Sequence, residues 1–243
     1  MELENCSHRK RYPTGFALVG HLAIGGLKVW QEMQSYIPLH IQNRENNIQR
    51  CALAKKNQEY SLKQHCQGVL SITLDLLGIL GESPLTSLQT SQVLHHDIME
   101  TFTGDLPYTV KNLSDEVKDS WDFIEAEVIE RASELYPSLA FYTDRAIRDS
   151  LSPRQFAIFR IADVADLWLY TEEEIRLGNY TDGMSKIHDD ALARMATAIK
   201  QLGSASEARK VCGYLASSGY VTMEYLLKRT DTDGKEVASL EIE

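Results

Sequence analysis

Between residues 60 and 80, Val69, Ile72, Leu76 and Ile79 recur at steps of three and four, which lays them along one face of a helix. His65 shares that face. A chain that repeats this pattern must bury helices against one another, and the pattern recurs along most of its length. Residues 16–36 read as an apolar helix weakened at Gly25 and Gly26 and closed before Pro38. A short helix is expected over 44–54. Another is expected over 87–102, with Leu88, Val93, Ile98 and Phe102 as its apolar positions. Ser114 opens a helix that carries Asp115 and Glu116 at its positive end and Trp121, Ile124 and Val128 as apolar positions. Ser152 and Pro153 start a long one that runs to about 177. Segments 181–202 and 204–228 complete the set, and no strand alternation interrupts it. The expected class is all-α, with a loose acidic tail over 229–243.

Composition narrows the function classes. With 243 residues and 43% hydrophobic content, the chain buries a sizeable core. No run of eighteen apolar residues predicts a membrane span. The opening MELENCSHRKRYPTG has no signal-peptide pattern, so a cytoplasmic protein is expected. Cys6, Cys51, Cys66 and Cys212 show no paired zinc-ligand spacing, and reduced thiols are expected. A net charge of −10 argues against a broad nucleic-acid surface. A small anionic ligand then needs a local positive site.

The stretch QVLHHDIMETFTGDLPYTVK, residues 92–111, carries the chemistry. On a helix, Glu100 lies four residues after His96 and three after Asp97, and so shares their side. An imidazole with a carboxylate suits a first-row transition metal better than calcium. Such a cation lowers the pKa of bound water from ~15.7 toward ~7. Glu100 would shuttle protons and Lys111 would neutralise a phosphate. A second His-Asp pair, His188 and Asp189, sits in KIHDDALARM, which reads as an ordinary solvated helix.

Further ligands must come from elsewhere. His65 is either a satisfied core histidine or a ligand. Asp163 lies inside the apolar run FRIADVADLWLY, where a carboxylate must be paired or bind a metal, and Asp166 competes for the same role. His95 would point about 100° from His96 on a helix, which favours a core or positioning role. Trp121, Trp168 and Tyr170 read as core aromatics, and the Glu172–Glu174 run as a solvated face.

The order His65, His96 with Asp97, then Asp163 resembles the H...HD...D pattern of HD-domain phosphohydrolases. HHDIMETFTGDLPYTVK, YSLKQH and IADVADLWLYTEEEIRLGN are similar to segments of the YfbR-type 5'-deoxynucleotidases, and the likeness covers about 50–179. His188 and Asp189 match nothing in that pattern. The resemblance implies an HD-domain helical bundle over 44–228, extended by helices at both ends, with 1–43 as an N-terminal extension. It implies one divalent ion, with Co, Mn, Zn, Ni, Fe and Mg all open, held by His65, His96, Asp97 and Asp163. Glu100 would be the acid/base residue. Arg50 and Lys111 would contact phosphate, and Asp105, Leu106, Pro107 and Tyr108 would surround the deoxyribose.

Two departures bear on the substrate. Cys51 stands where the family places a tryptophan, and Tyr108 replaces a smaller residue. The implied reaction is release of phosphate from a deoxynucleoside 5'-monophosphate, in a cytoplasmic homodimer or higher homo-oligomer, host cytoplasm if the chain is viral. Two alternatives stand beside it: a dNTP triphosphohydrolase, and a non-catalytic helical interaction protein with a vestigial metal site.

Overall fold

The computed structural model describes residues 37–52, 54–106, 110 and 113–230. Its helices are α1 (Leu39–Arg44), α2 (Leu62–Leu80), α3 (Ser87–Leu94), α4 (Glu100–Thr103), α5 (Asp115–Leu135), α6 (Asp144–Ser150), α7 (Pro153–Arg176), α8 (Asp182–Lys200), α9 (Ala205–Ala216) and α10 (Met223–Thr230). A 3-10 helix, Pro137–Tyr142, joins α5 to α6. Among the described residues there is no strand, only an isolated antiparallel bridge between Gln49 and Ser61. The all-α expectation holds. The apolar segment 16–36, Cys6 and the tail from 231 lie outside the described residues; Arg229 and Thr230, expected in the tail, close α10.

Among the described helices, α7 packs most extensively, against both α2 and α8. Its start is written locally. The Ser152 hydroxyl accepts from the Gln155 N–H, the Gln155 side chain accepts from the Ser152 N–H, and Pro153 supplies a fixed φ at the first helical position. Ser61 and Gln64 form the same reciprocal cap on α2, which ends at Gly81 with φ +73°. Val69 and Leu76 of α2, Ile158 and Trp168 of α7 and Met195 of α8 are all buried in one core. Each such side chain contributes roughly 1.5–3 kcal/mol. A smaller cluster around Ile41, Ile98, Leu139 and Tyr142 supports the region of α3 and α4.

Three expected helices differ from the structure, two interrupted and one displaced, each for a tertiary reason. Segment 87–102 stops at Leu94 and resumes at Glu100. A continuous helix would splay His96 and Asp97 by about 100°; the break lets both face one point while His95 turns to Glu45, 2.9 Å away. The helix expected over 44–54 falls earlier, at α1, because Arg50 N–H donates to the Tyr60 carbonyl and Leu62 N–H to that of Ile48. Segment 204–228 is a hairpin of α9 and α10 around Gly219 at φ +76°, which buries both Leu215 and Leu226. Trp121 is half-buried rather than core, its indole donating to Glu125. Trp168 and Tyr170 are core, as expected.

The Glu172–Glu174 run is not a solvated face. Glu172 pairs with His188, and Glu174 is fully buried. The Glu174 carboxylate accepts from the Asn57 and Gln58 N–H groups at 2.8 and 2.7 Å and from the Asn179 amide at 2.7 Å. It pins the loop that enters α2 to the end of α7. Burial works to raise its pKa, but these donors outweigh burial and hold it below the usual value. Its contribution is therefore complete above an ordinary glutamate pKa of about 4.3 and fades as pH falls through the lower folded value. Glu174→Ala is expected to cost about 3 kcal/mol in urea unfolding at neutral pH, by stranding buried donors. A loss under about 0.5 kcal/mol, the range of ordinary surface changes, would contradict that assignment.

Candidate metal centre

Three parts of the chain converge on one point. α2 brings His65, the break between α3 and α4 brings His96 and Asp97, and α7 brings Asp163. His65 and His96 are buried, their rings edge to face with centroids 5.1 Å apart. His65 Nε2 lies 3.3 Å from Asp163 Oδ1 and 3.6 Å from Asp97 Oδ2. His96 Nε2 lies 3.7 and 3.4 Å from the same two oxygens. Donors about 2.1 Å from a shared cation sit roughly 3.0–3.4 Å from one another, and these separations fall close to that range. Both Nε2 atoms are buried with no hydrogen-bond partner. Such atoms are costly to desolvate unless something else satisfies them. His65, His96 and Asp163 bring donor atoms within 4.8 Å of one another, a set that fits a divalent transition metal, and Asp97 Oδ2 approaches both imidazoles.

The remaining contacts aim the donors. The His96 Nδ1 lies 3.0 Å from the Val93 carbonyl, which makes that nitrogen a donor and leaves Nε2 as the atom for which a proton and a cation compete. Asp163 gives its other oxygen to Arg160 at 3.0 Å. Asp97 Oδ2 accepts from Arg50 Nη1 at 2.5 Å, and the same nitrogen is 3.5 Å from Glu100 Oε2. Burial favours neutral Asp97, yet His96, Arg50 and His65 together outweigh it and hold its pKa at about 2. Burial likewise opposes a charged His96, but Asp97, Cys66 and Asp163 hold its pKa well above the usual imidazole value.

Beside the cluster lies a cavity of about 330 Å³, lined by Arg50, Cys51, Glu100, Asp105 and Leu106 among others. Cys51 adopts φ +53°, rare for a side-chain-bearing residue. That turn lets its N–H donate to Asp105 Oδ2 at 3.1 Å, tying the Arg50 loop to the loop after α4. Burial pushes the Cys51 thiol up to about 11, so it is a neutral wall and not a nucleophile. Pro107, Tyr108 and Lys111 lie outside the described residues. Asp166 stands behind His65, on its Nδ1 side, and does not compete with Asp163. His95 pairs with buried Glu45, a core role.

The far wall of the cavity was not foreseen. Gly183, Ile187, Asp190, Ala191 and Arg194 repeat at three- and four-residue steps and present one face of α8 to it, with Lys186 alongside and Arg160 contributed by α7. In the sequence this face looked like solvated helix, and only its small and apolar members, Gly183, Ile187 and Ala191, hinted at burial. His188 and Asp189 stay outside the cluster, His188 lying between Glu172 and Asp189.

A helical body that brings H, H-D and D side chains together is the architecture of the HD-domain phosphohydrolases, a class of enzyme. Solved structures agree on the fold. An HD-domain phosphohydrolase from Listeria innocua matches with a TM-score of 0.59 at 22% identity, over 83% of this chain and 97% of that one. The cyanophage S-2L HD phosphohydrolase DatZ, bound to dA and one catalytic Zn2+ ion, matches at 0.56 and 15% identity, over 76% and 97%. The 5'-deoxynucleotidase of Shewanella oneidensis is 30% identical over 138 residues, 54% of this chain and 71% of the relative. Residues 39–208 match the YfbR-like 5'-deoxynucleotidase family, and the chain belongs to it.

Burial opposes a charge on His96, but Asp97, Cys66 and Asp163 favour one, so a proton and a cation compete for the same imidazole nitrogen. The heat of zinc binding, measured by calorimetry in buffers of different ionisation enthalpy, is expected to vary with the buffer, and affinity to fall on acidification. Buffer-independent heats would contradict this.

Proposed function

We propose that the protein is a metal-dependent 5'-deoxynucleotidase that converts a deoxynucleoside 5'-monophosphate to deoxynucleoside and phosphate. The observation that carries this reading is the pair of buried, unpartnered imidazole nitrogens facing Asp97 and Asp163 beside a cavity that Arg50 and Glu100 line. Family membership and the relative from Shewanella oneidensis, whose name is 5'-deoxynucleotidase, support the substrate class.

In this reading His65, His96, Asp97 and Asp163 hold one divalent ion. When bound, that ion supplies Lewis-acid polarisation of the phosphate and a more acidic water. Arg50 keeps its charge despite burial, because Glu100 and Asp97 outweigh desolvation. Its guanidinium offsets the charge that builds on the phosphate oxygens in the transition state. Glu100 takes a proton from the attacking water and returns one to the departing 5' oxygen as the phosphorus–oxygen bond breaks. Asp105 and Leu106 bound the sugar end of the cavity and Cys51 stands at the position that orients the substrate in the family; the family pattern assigns Pro107 and Tyr108 to the sugar and Lys111 to the phosphate.

The catalytic domain in this proposal spans 44–228, preceded by an extension over 1–43, and the protein works as a cytoplasmic homodimer. No described helix is long and apolar enough to cross a membrane. A second substrate reading, a dNTP cleaved to deoxynucleoside and triphosphate, draws on the additional cations Arg160, Lys186 and Arg194 around the cavity.

Product chromatography with dAMP, dCMP, dTMP and the four dNTPs distinguishes the two. Phosphate from the monophosphates is expected, and triphosphate from dNTPs alone would replace the first reading with the second. Glu100→Gln is expected to lower kcat by about 10²–10⁴ while leaving metal affinity within a few-fold. Near-normal turnover in that variant would remove Glu100 from the chemistry.

A further inference from the structure

His65 has a second face. While Nε2 points toward Asp97 and Asp163, Nδ1 lies 2.9 Å from Asp166 Oδ2 and 2.9 Å from the Tyr60 hydroxyl. The Tyr60 hydroxyl is itself 2.5 Å from the same Asp166 oxygen. Three polar atoms thus close a triangle, with Tyr60 and His65 buried and Asp166 mostly so.

Two hydrogens serve this triangle, the Tyr60 O–H and one imidazole N–H. The ionised carboxylate has none to give and accepts both. With Tyr60 donating to Asp166, the ring hydrogen belongs on Nδ1, and Nε2 keeps its lone pair. Without the carboxylate the logic reverses. Tyr60 would then donate to Nδ1, and the ring hydrogen would move to Nε2, where it would face the ligand cluster and block it.

The surroundings are shaped for that carboxylate. Gly68 follows His65 on α2, and a Cβ there would stand 1.8 Å from Asp166 Oδ1. The Tyr60 ring lies flat on Tyr170, with centroids 4.0 Å apart and planes within 5°, so its hydroxyl is held in place. Asp166 comes one turn after Asp163 on α7. One helix therefore supplies a candidate ligand and the carboxylate behind a second.

We propose that Asp166 is a positioning residue that fixes the His65 tautomer with Nε2 free to bind a metal, that Tyr60 is the group able to reverse it, and that Gly68 is the gap that admits the carboxylate. The inference rests on the reading of His65 as a ligand.

The test is titration of the metal-free, full-length protein with cobalt(II) alone, alongside nitrogen-15 spectra of its imidazoles. Asp166→Ala is expected to weaken cobalt binding by about 10–100-fold and to move the His65 ring hydrogen from Nδ1 to Nε2. Adding Tyr60→Phe to that variant is expected to recover most of the affinity, because the hydroxyl that drives the reversal is gone. A purely structural role gives the opposite ranking, with the double variant worse than the single.

Gly68→Ala raises intrinsic helix propensity, yet it is expected to weaken cobalt binding by displacing Asp166. It keeps the test decisive if Asp166→Ala does not fold. Wild-type affinity in Asp166→Ala or in Gly68→Ala, or a double variant no better than the single, overturns the proposal. His65→Ala is run in parallel: if it is weakened while Asp166→Ala is not, the positioning role alone fails. If His65→Ala also binds cobalt normally, the metal-centre reading fails with it.

Discussion

The structure turns on an electrostatic debt inside the helical body. Two imidazole nitrogens are buried without partners, and two carboxylates face them from different elements. Left alone, such a cluster opposes folding, since each desolvated polar group costs free energy that the apolar core must offset. In the proposed reading a divalent cation held by His65, His96, Asp97 and Asp163 satisfies all four side chains at once. The surrounding pairs, Arg50 with Asp97, Arg160 with Asp163 and Asp166 with His65, neutralise what the cation does not reach.

This requirement explains why the scaffold departs from regular helix where it does. α2 and α7 are capped helices with buried apolar faces, and they deliver His65 and Asp163. The third contribution comes from adjacent residues, and regular helix cannot point neighbours at one target. The chain therefore breaks between Leu94 and Glu100 and anchors the break with His95 on Glu45 and Ile98 in the core. The Arg50 loop follows the same logic. Cys51 accepts a left-handed backbone so that Arg50 reaches Asp97 while the next N–H reaches Asp105.

Much of this was legible in the residues. The all-α class and the extents of α2, α7 and α8 followed from apolar spacing and from the Ser-Pro start of α7. The residues alone offered His96 with Asp97 and left His65 and Asp163 among alternatives; the resemblance to the HD-domain pattern was what named the four candidate ligands together. What escaped the sequence depends on three-dimensional convergence. Local periodicity carries no information about two neighbours needing a common target, so the break before Glu100 was invisible. A carboxylate in an acidic run reads as solvated unless its donors are known, and two of the three that hold Glu174 lie more than a hundred residues away. The cavity face of α8 was hidden because a wet pocket and open solvent favour the same polar side chains. Asp163 and Asp166 could not be told apart by pattern, since one lies in front of His65 and the other behind it.

The account stands on one cation gripped by side chains from three separate parts of the chain. X-ray absorption spectroscopy of the zinc-loaded protein tests that grip directly, because imidazole rings leave a distinctive outer-shell scattering pattern. The account predicts one zinc per chain, with two imidazoles and oxygen donors in its shell. A shell with fewer than two imidazoles, or one containing sulfur, would contradict it.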